Sequence, residues 1–171
     1  MKKQYNNLNI ENLIKTNWFK KFNQRQQEQI TFGLLSKVDV LIYAKKEFDY
    51  KQMEQIRLGL LSNLNVEAYI KEDFNFQQMR EIRLGLENNV DISIYAKPEY
   101  ETPQMFEIRL GLEENLDVSW YAKPVYDRYQ MREIREGLEK GLNVSIYANP
   151  DFNEKEMRKI KRELIKKAKK R

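Results

Sequence analysis

Gln78–Tyr100 reads QMREIRLGLENNVDISIYAKPEY and Gln104–Tyr126 reads QMFEIRLGLEENLDVSWYAKPVY, two near-copies that begin 26 residues apart. The period extends in both directions without insertion, so Asn23–Arg171 is one motif written six times. Its methionine returns at Met53, Met79, Met105, Met131 and Met157, with Gln27 in the first copy. An isoleucine follows three residues later at Ile30, Ile56, Ile82, Ile108, Ile134 and Ile160. A glycine recurs at Gly33, Gly59, Gly85, Gly111 and Gly137, and a tyrosine at Tyr43, Tyr69, Tyr95, Tyr121 and Tyr147. A unit this small cannot bury its own apolar face, so copies must stack and cover one another.

Within a copy, Asp49 followed by Gln52 is the spacing of a capping box, and Phe48 with Met53 that of a hydrophobic staple. The pattern repeats at Asn75/Gln78, Asp127/Gln130 and Asn153/Glu156, while Thr102 before Pro103 is the expected cap of the fourth copy. Met53, Ile56, Leu60 and Leu64 then fall on one helical stripe. A second cap at Asp39, Asn65, Asp91, Asp117 or Asn143 opens a short helix that Pro98, Pro124 and Pro150 stop in their copies. The pattern predicts an all-α solenoid of six repeats, each a long helix of roughly four turns, a turn and a helix of one to two turns.

A mid-helix glycine is about 1 kcal/mol worse than alanine, so five of them require close approach of a neighbour. The expected neighbour is the preceding leucine of another copy (Phe32, Leu58, Leu84, Leu110), inserting over the glycine of the next. Residues 1–22 are expected to form an N-terminal cap. Its Leu8, Ile10, Leu13, Ile14, Trp18 and Phe19 would cover the extra apolar Leu35, Leu41 and Leu61 of the first two copies. Residues 23–154 would hold copies one to five, and residues 155–171 the sixth, capping helix with its basic tail.

Composition narrows the function classes. The 171 residues include no cysteine and no histidine, which removes disulfides, thiol and imidazole chemistry and nearly every zinc site. Carboxylates sit at repeated surface and cap positions rather than in one asymmetric cluster, and each glycine is isolated within a helix, unlike a phosphate-binding loop. The expectation is a non-enzyme with no cofactor and no metal. No stretch reads as a secretory signal or a bilayer span, and the lack of cysteine fits a reducing cytoplasm. The net charge of +5 hides an asymmetry: residues 155–171 carry +8, leaving −3 on residues 1–154.

Positions shared by every copy are first of all architectural. Arg57, Arg83, Arg109 and Arg135, beside Glu81, Glu107 and Glu133, read as inter-repeat ion pairs, with an anion-binding row as the alternative. Recognition belongs to positions that vary. The first and fifth residues of the long helices project together and differ in each copy, running through Tyr50, Phe76, Phe106, Arg128 and Arg132, with Tyr129 adjacent. Aromatics and arginines on one edge have the composition of a protein interface; the alternative is that the rings pack on neighbouring copies. Trp120 is expected in the core. The basic tail, including Lys166, Lys167, Lys169, Lys170 and Arg171, is a solubilising cap or, in a second reading, a nucleic-acid contact. An amphipathic membrane helix is the weakest reading, because the apolar residues there are claimed by the stack.

The quoted units resemble repeats of the form QMxEIRxGLExGLDVSxYA found in proteins of bacterial phages and other mobile elements, over roughly Asn23 to Ala168. The resemblance implies an accessory interaction module without a shared activity. It also implies a partner such as a host defence complex, for example a CRISPR effector nuclease that a small protein would block.

Overall fold

The computed structural model describes residues 10–71 and 73–169. Leu8, the Ile10 side chain, Lys170 and Arg171, all named above, lie outside that range. Among the described residues there are seven α-helices and no strand: α1 (Ile10–Leu13), α2 (Gln24–Leu35), α3 (Tyr50–Leu61), α4 (Phe76–Glu87), α5 (Thr102–Glu113), α6 (Arg128–Glu139) and α7 (Glu154–Ala168). The expected all-α arrangement of consecutive helical repeats is present. Each of α2 to α6 spans 12 residues, about three turns rather than four. Each is followed by a three-residue 3₁₀ helix, a single turn at the lower end of the one to two expected.

The helix starts follow the sequence. Asn23, Asp49, Asn75, Asp127 and Asn153 each accept from the backbone N–H three residues on, and the residue there reaches back to the cap's own N–H. In the fourth copy the cap is Glu101 rather than Thr102. Its N–H donates to Gln104 Oε1 at 2.7 Å, and Pro103 sits within the first turn, where its missing donor is harmless. Before the 3₁₀ turns, Asp39, Asp91, Asp117 and Asn143 cap as expected, whereas Asn65 makes no side-chain cap bond.

Every long helix from α2 to α6 ends in a left-handed residue: Lys37, Asn63, Asn89 and Asn115 at φ 53–59°, and Gly141 at 63°. The next N–H returns to the glycine carbonyl, as in Leu116 N to Gly111 O at 2.8 Å, while Asn115 N reaches Leu112 O at 3.1 Å. This 6→1, 5→2 pair closes the helix and aims the chain at the 3₁₀ turn.

The glycine does allow close approach, but of its own tyrosine and not of a neighbour's leucine. A Cβ built on Gly111 would collide with the Tyr121 hydroxyl and lie 2.9 Å from Val118 Cγ1; Gly33, Gly59, Gly85 and Gly137 face Tyr43, Tyr69, Tyr95 and Tyr147 in the same way. The hydroxyl passes over the glycine to donate to a carbonyl of the same helix: Tyr43 to Gln29, Tyr69 to Gln55, Tyr121 to Glu107 and Tyr147 to Glu133, at 2.9–3.2 Å. Thus the lock is within a repeat. The leucines Leu58, Leu84 and Leu110 are half-buried and are not among the atoms that crowd the glycines.

The described residues form two compact units divided between Arg83 and Leu84, within α4. In the first, Met53, Ile30, Ile56 and Ile82 are fully buried, each contributing about 1.5–3 kcal/mol. The N-terminal segment contributes Leu13, Phe19 and Phe22, and Gln27 Nε2 donates to the carbonyls of Phe22 and Phe19. Among the described residues, burial of Leu13, Phe19 and Phe22 is not matched by burial of the extra leucines: Leu35 and Leu61 are exposed, as is Ile14, and Leu41 is half-buried. In the second unit Met105, Met131, Met157, Ile108 and Ile134 are fully buried, and Ile160 and Leu164 half-buried.

Neighbouring repeats are joined by a glutamine with two tasks. Gln26, Gln52, Gln104 and Gln130 accept from their own helix cap and donate through Nε2 to carbonyls of Phe48, Phe74, Tyr126 and Phe152 in the next repeat, at 2.6–2.8 Å. In α7 the equivalent residue is Glu156, exposed and without that donor.

Candidate protein-binding surface

The structure separates the predicted recognition residues into two sets. In the first unit Tyr50 and Phe76, each the first residue of its helix, are half-buried under cations of the preceding repeat. Arg25 lies 4.9 Å over the Tyr50 ring and donates to its hydroxyl at 3.0 Å, and Lys51 lies 4.3 Å over Phe76. These rings take the packing alternative, each contact adding about 0.5–1 kcal/mol.

In the second unit that arrangement stops, because Pro103 occupies the place of the covering cation and Arg128 that of the covered ring. Phe106, on α5, is 40% exposed, with Arg109 beneath it at 5.4 Å. Tyr129, on α6, is 50% exposed with Arg128 over one face at 4.8 Å. Arg132 is exposed and paired with Glu136 at 3.0 Å. Phe106 and Arg132 hold the same register position in consecutive helices, with Arg128 and Tyr129 one turn earlier on α6.

A further set was not anticipated. Trp120 is exposed rather than in the core, and so are Ile146, at the same place in the next repeat, and Val125. The geometry of the 3₁₀ turn is the reason. Val118 and Tyr121 already point inward, and Ser119 Oγ turns back to donate to Asp117 Oδ1 at 2.6 Å. The remaining residue of the turn must face out. Ser145, Asn143 and Ile146 repeat the arrangement, with Ile94 half-buried in the turn before. The loops carrying this row are held in line by Tyr100 OH donating to Ala122 O and Tyr126 OH to Ala148 O, both at 2.8 Å. The usable sequence signal was the serine: a polar partner beside two core residues leaves one outward position.

Of the arginine row, Arg57, Arg83 and Arg135 make inter-repeat contacts, the last as the ion pair expected, while Arg109, buried like Arg135, pairs with Glu113 of its own helix. Arg57 and Arg83 donate to neutral acceptors, Gln29 and Gln55, at 3.1 Å. Arg135 donates to Glu107 at 2.9 Å and pairs with Glu139; Glu133 is met by Arg158 at 3.0 Å and Lys161 at 2.7 Å. Burial opposes the charge on Arg135, yet Glu107, Glu139 and Glu114 outweigh it and raise its pKa. Glu136 behaves in mirror image: burial would raise its carboxyl, but hydrogen bonds from Lys161 and Arg132 hold it below the usual range. Glu114 is raised, first by desolvation and then by the neighbouring Glu139 carboxylate. The buried carboxylates Glu107 and Glu133 are therefore engaged by cations of the next helix rather than aimed into an open cavity.

Of the tail residues, Lys166, Lys167 and Lys169 are exposed at the end of α7, whereas Lys161 is buried. Among the described residues no cluster of three or more carboxylates is arranged to hold a metal ion, and no helix is long and apolar enough to cross a membrane. No family model, no curated protein and no solved structure matches the chain.

Proposed function

We propose that the chain is a non-catalytic protein-binding module of the cytoplasm, whose second unit carries the recognition residues Phe106, Tyr129, Arg128 and Arg132 together with Trp120, Val125 and Ile146. One observation carries this reading. At the places of Phe106, Tyr129, Trp120 and Val125 other repeats have a polar, charged or smaller residue within the same local fold, such as Glu54, Gln77, Ala68 and Glu99. The architecture therefore does not require these large side chains, yet each is held in water, where burial by a partner would stabilise it. The resemblance to repeats of phages and mobile elements makes a host defence complex, such as a CRISPR effector, the first partner class to test.

The experiment is affinity capture with the full chain, followed by binding measurements on the purified partner. Loss of a single aromatic anchor at an interface centre costs about 2 kcal/mol or more, so a Phe106→Ser/Trp120→Ser/Tyr129→Ser variant, in which at least one anchor is removed, should lose at least about 30-fold in affinity with unchanged helicity. A Tyr50→Ala/Phe76→Ala variant should bind as the parent does. Equal affinity of the first variant and the parent removes the proposed surface.

A further inference from the structure

The outer face of α7 is built differently from the stacking face of the other repeats. Elsewhere the glutamine at its third helical position donates to the next repeat, and the residue three further on, Gln29, Gln55, Glu107 or Glu133, accepts a cation from it. In α7 these positions are Glu156 and Lys159, both exposed. A further repeat would bring an arginine against Lys159, so this face has the wrong polarity for another copy of the motif.

What it presents is a line of cations. Lys155, Lys159, Arg162 and Lys166 are spaced i, i+4, i+7 and i+11 along one face, a row about 16 Å long, and edge a shallow groove shared with Arg158 and Glu163. All four are exposed and none makes a side-chain bond within the described residues. Arg158 and Lys161, by contrast, are held by Glu154, Glu133 and Glu136. The free cations thus begin well before the tail residues that the sequence singles out.

We propose that this face binds the phosphate backbone of a nucleic-acid duplex, without sequence preference. Three features select that occupant. Five cations and one carboxylate, Glu163, line the groove, and with Glu156, the other exposed carboxylate of the face, the balance stays positive, which complements a polyanion. No large apolar side chain of α7 is exposed, so the face lacks the anchor of a protein interface. The helix contains no aromatic residue, so it offers no platform for the unstacked bases of a single strand.

The test is fluorescence anisotropy of the full chain with a labelled duplex DNA and a duplex RNA at several salt concentrations, with single-stranded DNA and polyglutamate as the other arms. Four phosphate contacts give a slope of log K against log salt of about −3.6, roughly a 150-fold loss between 50 and 200 mM. A Lys159→Gln/Arg162→Gln variant should bind more weakly with the slope reduced to about −1.8, and Lys166→Gln alone should reduce it by about 0.9. Circular dichroism confirms that the variants fold. No duplex binding at 50 mM salt, an unchanged slope in both variants, or tighter binding of the single strand or of polyglutamate would each overturn the proposal.

Discussion

Replacing Gly111 by alanine tests the local lock on which each repeat is built. On an ordinary helix the change would stabilise by about 1 kcal/mol. Here the new methyl group would overlap the Tyr121 hydroxyl, and it would stand 2.9 Å from Val118 Cγ1 and 3.2 Å from Tyr121 Cζ, all within the core. Overpacking of this kind costs about 1–3 kcal/mol. Moving the hydroxyl also breaks its 3.2 Å bond to the Glu107 carbonyl and leaves a buried donor unpaired, about 1–3 kcal/mol more. Against the propensity gain, the net expectation is a loss of about 1–5 kcal/mol. Urea unfolding followed by circular dichroism reads it as a lower midpoint at unchanged slope. Tyr121→Phe alone should lose about 1 kcal/mol. Because it removes the colliding atom, the double variant should be about 1–2 kcal/mol more stable than the two single losses predict. If Gly111→Ala stabilises the protein, or if the two changes add without coupling, the hydroxyl is not what the glycine accommodates.

Lys37 occupies a left-handed position that asparagine or glycine fills in the other repeats, so Lys37→Gly should raise the urea midpoint by the equivalent of about 1 kcal/mol, and a fall would refute the strain. Gln104→Glu keeps the cap acceptor but loses the donor to Tyr126 O and buries a charge, and should destabilise by about 2–3 kcal/mol. The equivalent Glu156→Gln in α7 should change the midpoint by less than about 0.5 kcal/mol; similar losses at both sites would refute the two-task glutamine. Arg135→Met strands the buried Glu107 carboxylate and should destabilise by about 3–5 kcal/mol, while Glu107→Gln reproduces the Arg57–Gln29 contact and should be milder, the reverse order counting against the pairing. Burial raises the phenol pKa of Tyr43, Tyr121 and Tyr147, so the unfolded chain loses these protons first; their stabilisation is intact below about pH 10 and falls above it, by up to about 1.4 kcal/mol per residue per pH unit. The alkaline fall in the urea midpoint should be shallower for Tyr121→Phe, and identical curves would refute the linkage.

The parts of this fold legible in the sequence were those written within a few residues of one another. Asp49 and Gln52 identify a helix start without reference to the rest of the chain, and Met53 and Ile56 identify its buried face. Partners farther apart were ambiguous because everything recurs with the same period. Leu84 and Tyr121 are both repeated, so the spacing alone does not say which of them meets Gly111. Gln52 was fully explained by its cap bond, which concealed the donor aimed 22 residues on at Phe74 O; the clue was Glu156, where the amide is absent. For the candidate surface, the variable edge was visible, but not that Arg25 and Lys51 cover Tyr50 and Phe76 while Phe106 and Tyr129 stay open. A large aromatic in a repeat reads as core, yet Trp120 faces out because the inward directions of its turn are taken by Val118 and Tyr121.

Variation between copies is not by itself a sign of recognition. The acceptor beside the methionine stripe changes from Gln29 and Gln55 to Glu107 and Glu133, and all four are buried, receiving a cation from the following helix. A neutral acceptor can serve an arginine at little desolvation cost, whereas a buried carboxylate stranded without one is strongly destabilising. The glutamate repeats therefore require the correct neighbour, and the glutamine repeats merely permit it. At Lys159 the acceptor becomes a cation and permits no arginine at all. This row of acceptors, buried up to Lys159, therefore bears on which surfaces stack, and it is variation on exposed side chains, such as Phe106, Trp120 and Tyr129 or the cations of α7, that the proposed recognition rests on.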